Sequence, residues 1–168
     1  FVSGDLRTHS VNFFLKDTFS QIDKDQFSVI GFNNLEKSRF DKVTDFYKRH
    51  SCEWYDTYDY NDEKLIDLIR SLKIDILIDL NGFTYGNRIN VFAARCAKIQ
   101  IAWLGYNNSV GLSNMDYLLV DKNLIHKSEE NLYKEKILYL PKIWNAMSKP
   151  KNLPEINELP FIKGKIFK

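Results

Sequence analysis

Hydrophobic positions recur at helical spacing in two segments of the chain. One face of the first segment consists of Val11, Phe14, Leu15, Phe19 and Ile22, and one face of the second consists of Leu65, Ile69 and Leu72. Apolar residues that return every three or four positions predict amphipathic helices. We expect Ser10 to cap the first helix, and Asn61 or Asp62 to cap the second, because such side chains accept hydrogen bonds from the free N–H groups at a helix start.

Weaker patterns predict three further helical segments. One runs roughly from residue 35 to residue 49, with Asn33 or Asn34 as a possible cap. Another lies near residues 89–95, and a helical turn is predicted around SEENLY at 128–133. Each segment lies between two runs of apolar residues, so predicted helices and apolar runs alternate along the chain.

The apolar runs have the length and composition of buried strands. In the clearest, IDILIDL at 74–80, only Asp75 and Asp79 interrupt the aliphatic residues, as expected of a parallel strand that helices cover on both faces. The other predicted strands are the chain start, FSVIGF at 27–32, IQIAWL at 99–104, DYLLVD at 116–121 and KILYLP at 136–141. This alternation predicts an α/β fold with a Rossmann-like, open, mostly parallel sheet and helices on both faces.

The predicted domain organisation rests on the length of the chain and on a change in composition and periodicity after Pro141. A chain of 168 residues fits one domain. We assign residues 1–141 to one Rossmann-like lobe, and residues 142–168, with three further prolines and little periodicity, to a linker. The final GKIFK resembles the start of another strand, and the chain opens on Phe1 as if in mid-strand. We therefore expect the chain to be part of a longer protein.

Composition and charge argue against several classes of function. The formal net charge is only +2 and the lysines are scattered among acidic residues, so we expect no nucleic-acid partner. No apolar run approaches the roughly 20 residues that span a bilayer, so we expect no membrane association. Cys52 and Cys96 have no second cysteine or histidine at ligand spacing, which predicts neither a metal site nor a disulfide. Free thiols suit a cytoplasmic location.

Polar loops follow four of the predicted strands. They are SGDLRTHS at 3–10, NGFTYGNR at 81–88, GYNNSVGL at 105–112 and DKNLIHK at 121–127. In an open α/β sheet, ligands bind outside the carboxyl ends of the strands. If these strands are parallel, the four loops meet along one rim, and we expect the functional site there.

His9 and Asp5 in the first loop are the candidates for chemistry. His9 lies at the junction of loop and helix, where an imidazole could bind an anion or transfer a proton. Alternatively, His9 only contacts the helix N-terminus. Asp5 could orient His9 or act as a base, or it could be an ordinary turn residue that bonds its own backbone. Arg7 is expected to be solvated.

Glycines in the second and third loops would let the backbone approach a ligand closely. Gly82 precedes Thr84, whose hydroxyl could bond to that ligand, although an Asn-Gly pair is also typical of a plain tight turn. Gly105 opens the third loop, and Leu104 before it is expected to be a core residue. Neither loop has the spacing of a Walker A or GxGxxG motif, which disfavours a nicotinamide-dependent oxidoreductase.

Taken together, three blocks resemble a known family. S-x-D-x-x-x-H-S at 3–10, N-G-x-T-x-G-x-R at 81–88 and W-L-G-Y at 103–106 occur in order, and GLSNMDYLLVD and KILYLP follow them. Their order and spacing resemble the amino-terminal half of the catalytic region of the O-GlcNAc transferase/SPINDLY family, glycosyltransferase family 41, over about residues 1–141. The chain departs from that pattern at Asn107–Asn108, where the family commonly has a proline and a small or polar residue.

The resemblance implies a GT-B architecture, in which two Rossmann-like lobes face each other across a cleft, and this chain resembles the first lobe. It implies inverting transfer of a sugar from a nucleotide donor to Ser/Thr hydroxyls of protein acceptors, with no metal and no other cofactor. The donor is UDP-GlcNAc in the best-known members and GDP-fucose in SPINDLY proteins, and we expect GlcNAc here. It also implies tetratricopeptide repeats upstream and a second lobe in the same chain, without which we expect this lobe to be inactive.

The resemblance also assigns residues to the site. His9 matches the family's active-site histidine. The residues that match loops lining the cleft near the sugar are Gly82, Thr84, Leu104, Gly105 and Tyr106. The alternative function is a noncatalytic Rossmann-like binding or scaffold domain that keeps these rim residues without turnover.

Overall fold

Seven parallel strands form one sheet in the computed structural model, which describes residues 1–150 and 153–157. In chain order the strands are β1 Val2–Ser3, β2 Ile30–Asn33, β3 Glu53–Asp56, β4 Ile76–Asp79, β5 Ile99–Ala102, β6 Tyr117–Val120 and β7 Lys136–Tyr139. Their order across the sheet is β3-β2-β1-β4-β5-β6-β7, and each neighbouring pair is parallel. The predicted α/β class and parallel sheet are confirmed. The strand start expected at 164–168 lies outside the described residues.

Among the described residues, four α-helices cover the two faces of this sheet. They are α1 Ser10–Ser20, α2 Lys42–His50, α3 Asp62–Ser71 and α4 Ile89–Ala93. Helices α1 and α2 contribute Leu15, Phe19 and Tyr47 to one buried cluster. Helices α3 and α4 contribute Leu65 and Phe92 to a second cluster, which packs on the other face. The aliphatic strands predicted from the sequence are therefore sandwiched between two helical layers.

The expected cap at Ser10 is wrong, because His9 caps α1. The backbone of His9 is extended, with φ −154° and ψ 162°, and its Nδ1 accepts a hydrogen bond from Val11 N at 3.4 Å. Ser10 is already the first helical residue. The cap expected for α3 is correct, since Asn61 Oδ1 accepts from Lys64 N at 2.9 Å.

The single helix expected over residues 35–49 is in fact two elements. A 3₁₀ turn at Lys37–Arg39 comes first, and α2 then starts after Asp41. Asp41 Oδ1 accepts hydrogen bonds from Val43 N and Thr44 N, at 2.8 and 3.1 Å, while Thr44 Oγ1 accepts from Asp41 N. This capping box starts the helix later than hydrophobic spacing suggested. The turn expected around SEENLY is a 3₁₀ helix at Lys127–Leu132.

Backbone geometry after β5 brings the third loop against the second. Gly105 N donates to Trp103 O at 3.1 Å, and Leu104 between them has φ +78°, so the chain makes a γ-turn there. Leu104 is buried in the cluster beside α1, as expected of a core residue. A Cβ on Gly105 would overlap the carbonyl oxygen of Leu80. Only glycine allows this approach of the two loops.

The carboxylate of Asp79 holds the turn after β4. Its Oδ1 accepts from Asn81 N and its Oδ2 accepts from Gly82 N, both at 3.0 Å. The side chain is almost fully buried, and burial raises the pKa of Asp79 to about 6 although both backbone donors lower it. The buried acid that interrupts the aliphatic strand is thus a structural part of the second loop.

In the described part of the chain, no helix is both long and apolar enough to cross a membrane. Cys52 is exposed and Cys96 is buried, and both thiols are free. The boundary expected at residue 141 stays a prediction. Residues 142–150 contain no helix or strand, and Trp144 N donates to Asp121 Oδ2 at 2.9 Å.

We predict that Gly105→Ala destabilises the fold by about 3 kcal/mol, at the upper end of overpacking costs, because the obstruction is backbone and not a flexible side chain. Gly4→Ala is the matched control, since a Cβ at Gly4 would meet its neighbours only at 3.4 Å or more. Chemical denaturation of both variants measures the difference. Equal midpoints for the two variants would contradict the packing argument.

We predict that the stability contributed by Asp79 rises as pH falls. Its folded pKa of about 6 lies above its ordinary value of 3.8, so between these values the folded protein binds more protons than the unfolded chain. The free energy of unfolding of the wild type, minus that of Asp79→Asn, should therefore increase by about 2 to 3 kcal/mol from pH 7 to pH 4. NMR titration of the Asp79 carboxyl carbon gives the folded pKa directly, and a constant difference across this range would refute the prediction.

Candidate functional site

The candidate site lies where the strand order reverses direction. From β1 the chain proceeds outward to β2 and β3, and it then crosses back to place β4 on the other side of β1. The loops after β1 and β4 diverge at this switch point, which is where open α/β sheets bind ligands. A pocket of about 440 Å³ opens there, lined by Asp5, Arg7, His9, Arg39, Thr84, Tyr85 and Gly105.

Three of the four loops expected at the rim meet at this pocket, and the fourth does not. The pocket lining comes from the loops after β1, β4 and β5, together with Arg39 of the 3₁₀ turn. The loop after β6 is absent from the lining. His126 in that loop instead caps the second 3₁₀ helix, where its backbone N–H donates to Glu129 Oε2 at 3.0 Å.

His9 has one ring nitrogen on the helix and the other beside Asp5. Because Nδ1 accepts from Val11 N, the neutral ring carries its proton on Nε2. His9 Nε2 lies 3.7 Å from Asp5 Oδ1, and about a third of the His9 side chain is exposed. His9 therefore contacts the helix N-terminus, as the alternative interpretation expected, and it also lines the pocket. His9 can donate a hydrogen bond from Nε2 to a bound molecule.

Asn81 fixes the orientation of Asp5 from the neighbouring loop. Its Nδ2 donates to Asp5 Oδ2 at 2.8 Å, and its Oδ1 accepts from Gly4 N at 2.9 Å. The same Nδ2 lies 3.1 Å from Thr84 Oγ1. Asp5 Oδ1 is left facing the pocket. The sequence pattern indicated only a turn at Asn81, although its place directly after a buried strand was a usable signal.

The two candidate residues of the second loop are held tightly. Thr84 Oγ1 donates to Asn81 O at 2.8 Å, so its hydroxyl proton is already used inside the loop. Gly82 has φ +53°, and a Cβ there would overlap the side chain of Tyr106. Tyr106 meets Phe83 edge to face, with ring centroids 5.6 Å apart. Glycine is therefore required at position 82 by both backbone conformation and contact.

Leu104 and Gly105 have different positions in the site. Gly105 lines the pocket, whereas the Leu104 side chain lies in the core. Asn107 and Asn108, where the family pattern differs, are both exposed. Asn108 Oδ1 accepts from Ser109 N at 2.7 Å, which shapes the loop locally.

The expectation that Arg7 is solvated is wrong. Only about a quarter of its side chain is exposed, and Arg7 lines the pocket with an amino group 3.8 Å from Asp5 Oδ1. The reason is the γ-turn-like hydrogen bond from Arg7 N to Asp5 O, at 2.8 Å, which folds the loop back on itself. Two other lining residues, Arg39 and Tyr85, had no distinguishing pattern in the sequence.

Arg88, also missed in the sequence, locks the far end of the second loop. Its guanidinium donates to Asn34 Oδ1 at 2.8 Å and to Thr57 O at 3.0 Å, and it pairs with Asp62 at 2.9 Å. These partners belong to the segments after β2 and β3 and to the start of α3. The pocket wall is thereby tied to three other parts of the fold before any ligand binds.

This arrangement can bind a polar molecule and place the carboxylate of Asp5 near the reactive group of that molecule. Asp5 Oδ1 can accept a proton or a hydrogen bond, and His9 Nε2 can donate one. The backbone at Gly105 permits close approach without a side chain. Within residues 1–150 and 153–157, no group of three or more His, Cys, Asp or Glu side chains is arranged to hold a metal ion.

Comparison with known proteins agrees with the resemblance in the sequence motifs. The sequence model of Glycosyl transferase family 41 matches residues 1–164. The probable UDP-N-acetylglucosamine–peptide N-acetylglucosaminyltransferase SPINDLY of Oryza sativa subsp. japonica is 32% identical over 147 residues, which is 84% of this chain and 15% of that protein. The protein named SEC from Arabidopsis thaliana, with the same probable activity in its name, is 28% identical over 144 residues.

A solved structure has the same lobe. A mutant form of the O-GlcNAc transferase of Thermobaculum terrenum matches with a TM-score of 0.86 and 34% identity, covering 92% of this chain and 29% of that one. The match confirms the predicted Rossmann-like lobe of a GT-B glycosyltransferase. The chain spans about 15% of the length of the curated relatives. From the family match along nearly the whole sequence, the chain belongs to glycosyltransferase family 41.

Proposed function

We propose that this chain is the amino-terminal catalytic lobe of an inverting glycosyltransferase, which moves GlcNAc from UDP-GlcNAc to Ser/Thr hydroxyls of protein acceptors. The observation that carries this proposal is the pocket at the switch point, where His9, Asp5, Thr84 and Gly105 converge from three separate loops. The names of family relatives, which specify a nucleotide sugar and a peptide, support the donor and acceptor classes.

In the proposed reaction, the acceptor oxygen bonds to the anomeric carbon as the bond from that carbon to the diphosphate oxygen breaks. The hydroxyl proton must pass to a base. Asp5 Oδ1 suits this role because Asn81 holds the other carboxylate oxygen in place. His9 suits a positioning role through Nε2–H, since Nδ1 is occupied by the helix. Positioning of this kind lowers the barrier by prepaying the entropy of alignment.

The departing diphosphate needs positive charge or N–H donors around its oxygens, and this chain covers only 29% of the solved O-GlcNAc transferase and about 15% of a curated relative. We therefore propose that a second lobe of the same longer chain completes the site, and that residues 1–168 alone are inactive. Upstream tetratricopeptide repeats that present acceptors, a cytoplasmic location and independence from metal ions belong to the same proposal. The free thiols are compatible with that location.

The test of this proposal is turnover by the full-length protein that contains this chain. Hydrolysis and transfer are measured with a panel of UDP- and GDP-sugars and a Ser/Thr-containing peptide library. UDP-GlcNAc-dependent transfer supports the proposal, and preference for a GDP-sugar corrects the donor. A folded protein with no turnover on any donor would instead support the noncatalytic scaffold.

We predict that His9→Ala and His9→Asn in the full-length protein each reduce transfer kcat/KM at least about tenfold, or ~1.4 kcal/mol in barrier height. Both variants lack the Nε2 donor, but asparagine is a strong helix N-cap and keeps an acceptor for Val11 N. Only His9→Ala should therefore lose stability, by about 1 kcal/mol. Comparison of kinetics with thermal unfolding separates the role of His9 in the reaction from its role as the cap of α1. Wild-type turnover by His9→Asn would show that His9 acts only as a cap.

A further inference from the structure

Two arginines in the pocket wall have no role in the transfer step described above. Arg7 donates from one amino group to Thr8 O at 3.1 Å, and its other amino group lies 3.8 Å from Asp5 Oδ1. Its Nε is buried and has no hydrogen-bond partner among residues 1–150 and 153–157. The Nε atom is therefore closed to a ligand, but about a quarter of the Arg7 side chain is exposed, so its guanidinium adds positive charge to the pocket wall.

Arg39 has more donors to offer. It is exposed at the end of the 3₁₀ turn, and its guanidinium lies 5.8 Å from the centre of the Tyr85 ring. In the described part of the chain it makes neither an ion pair nor a side-chain hydrogen bond. The Arg39 guanidinium therefore lies near an aromatic ring with its planar fork of N–H donors free for a carboxylate or phosphate.

The acidic groups nearby do not neutralise both arginines. Asp41 is occupied as the cap of α2 and also accepts from Thr8 N at 2.8 Å. Asp5 binds Asn81 with one oxygen and faces both Arg7 and His9 with the other. The pocket lining therefore contains one carboxylate, that of Asp5, and two guanidinium groups, those of Arg7 and Arg39, which leaves excess positive charge in this wall.

The surroundings of the arginines have the composition of a polypeptide-binding surface. Tyr85 and Phe83 project from the second loop with 74% and 54% of their surface exposed. Aromatic residues and arginine are enriched in protein–protein interfaces and among the residues that contribute most to binding energy. A peptide crossing this rim would meet the aromatic side chains and the cationic wall together.

We propose that Arg7, Arg39 and Tyr85 form a specificity subsite for a carboxylate side chain of the acceptor polypeptide, close in sequence to the hydroxyl that receives the sugar. The inference rests on the proposed function and adds to it the charge of the preferred acceptor. Arg39 provides a bidentate fork, the partly exposed Arg7 adds positive charge, and Tyr85 provides an aromatic ring beside Arg39.

The test uses the full-length protein and matched acceptor peptides. Each pair of peptides differs only by Asp against Asn, or Glu against Gln, at one position within a few residues of the accepting serine. For the wild type we expect kcat/KM to be about tenfold higher for the acidic member at the preferred position. In Arg39→Glu this ratio should fall to unity or below, and a lysine-bearing peptide should become the better acceptor.

Lys37→Glu is the matched control. Lys37 lies on the same 3₁₀ turn, is exposed and does not line the pocket. Its substitution by glutamate changes the net charge by the same amount as Arg39→Glu. The acidic-to-amide ratio should stay at its wild-type value in this variant. An equal loss in both variants would show that general charge, not a subsite, determines the preference.

Three results would overturn the proposal. Equal kcat/KM for acidic and amide peptides in the wild type would do so without any variant. Donor hydrolysis without acceptor gives the KM for the donor. If this KM rises in Arg39→Glu by the same factor as transfer falls, the arginines bind the donor diphosphate and not the acceptor. Absence of transfer to every peptide and of donor hydrolysis would refute the proposed function itself, and so differs from a failure of the subsite alone.

Discussion

The amide of Asn81 joins the loops that follow β1 and β4 at the switch point. Its oxygen accepts from Gly4 N in the loop after β1, and its nitrogen donates to Asp5 in the same loop. An amide offers a donor and an acceptor on two separate atoms without charge. Because the group is buried, loss of either partner leaves a polar atom unpaired at a cost of roughly 1–3 kcal/mol. The position of Asp5 therefore depends on a residue of another loop.

The second loop is secured at both ends by buried or nearly buried polar groups. Asp79 holds its start through two backbone N–H groups, and Arg88 holds its end through Asn34, Thr57 and Asp62. Such ionic networks add little net stability, since desolvation offsets much of the attraction, but removal of one partner leaves an uncompensated charge. Their contribution here is geometric, because they fix the pocket wall in one arrangement before a ligand arrives.

Local patterns in the sequence predicted the elements, whereas contacts distant in sequence determined the site. Hydrophobic spacing predicted α1 and α3, and the aliphatic run at 74–80 predicted β4, because burial on one or two faces follows directly from such patterns. The caps at His9 and Asp41 were missed since a cap depends on backbone conformation as well as residue type. Asn81 and Arg88 were missed because their partners lie 77 and 54 residues away.

The γ-turn at Leu104 shows how the core determines the third loop. A left-handed backbone costs a branched residue roughly 1–2 kcal/mol, and glycine at this position would avoid that cost. Burial of the leucine side chain, which is only 6% exposed, contributes about 1.5–3 kcal/mol and so offsets the strain. A leucine anchored in the core beside α1 holds the next peptide group in one place. Gly105 is thus held close to Leu80 O, and hydrophobic packing in the core positions this edge of the pocket.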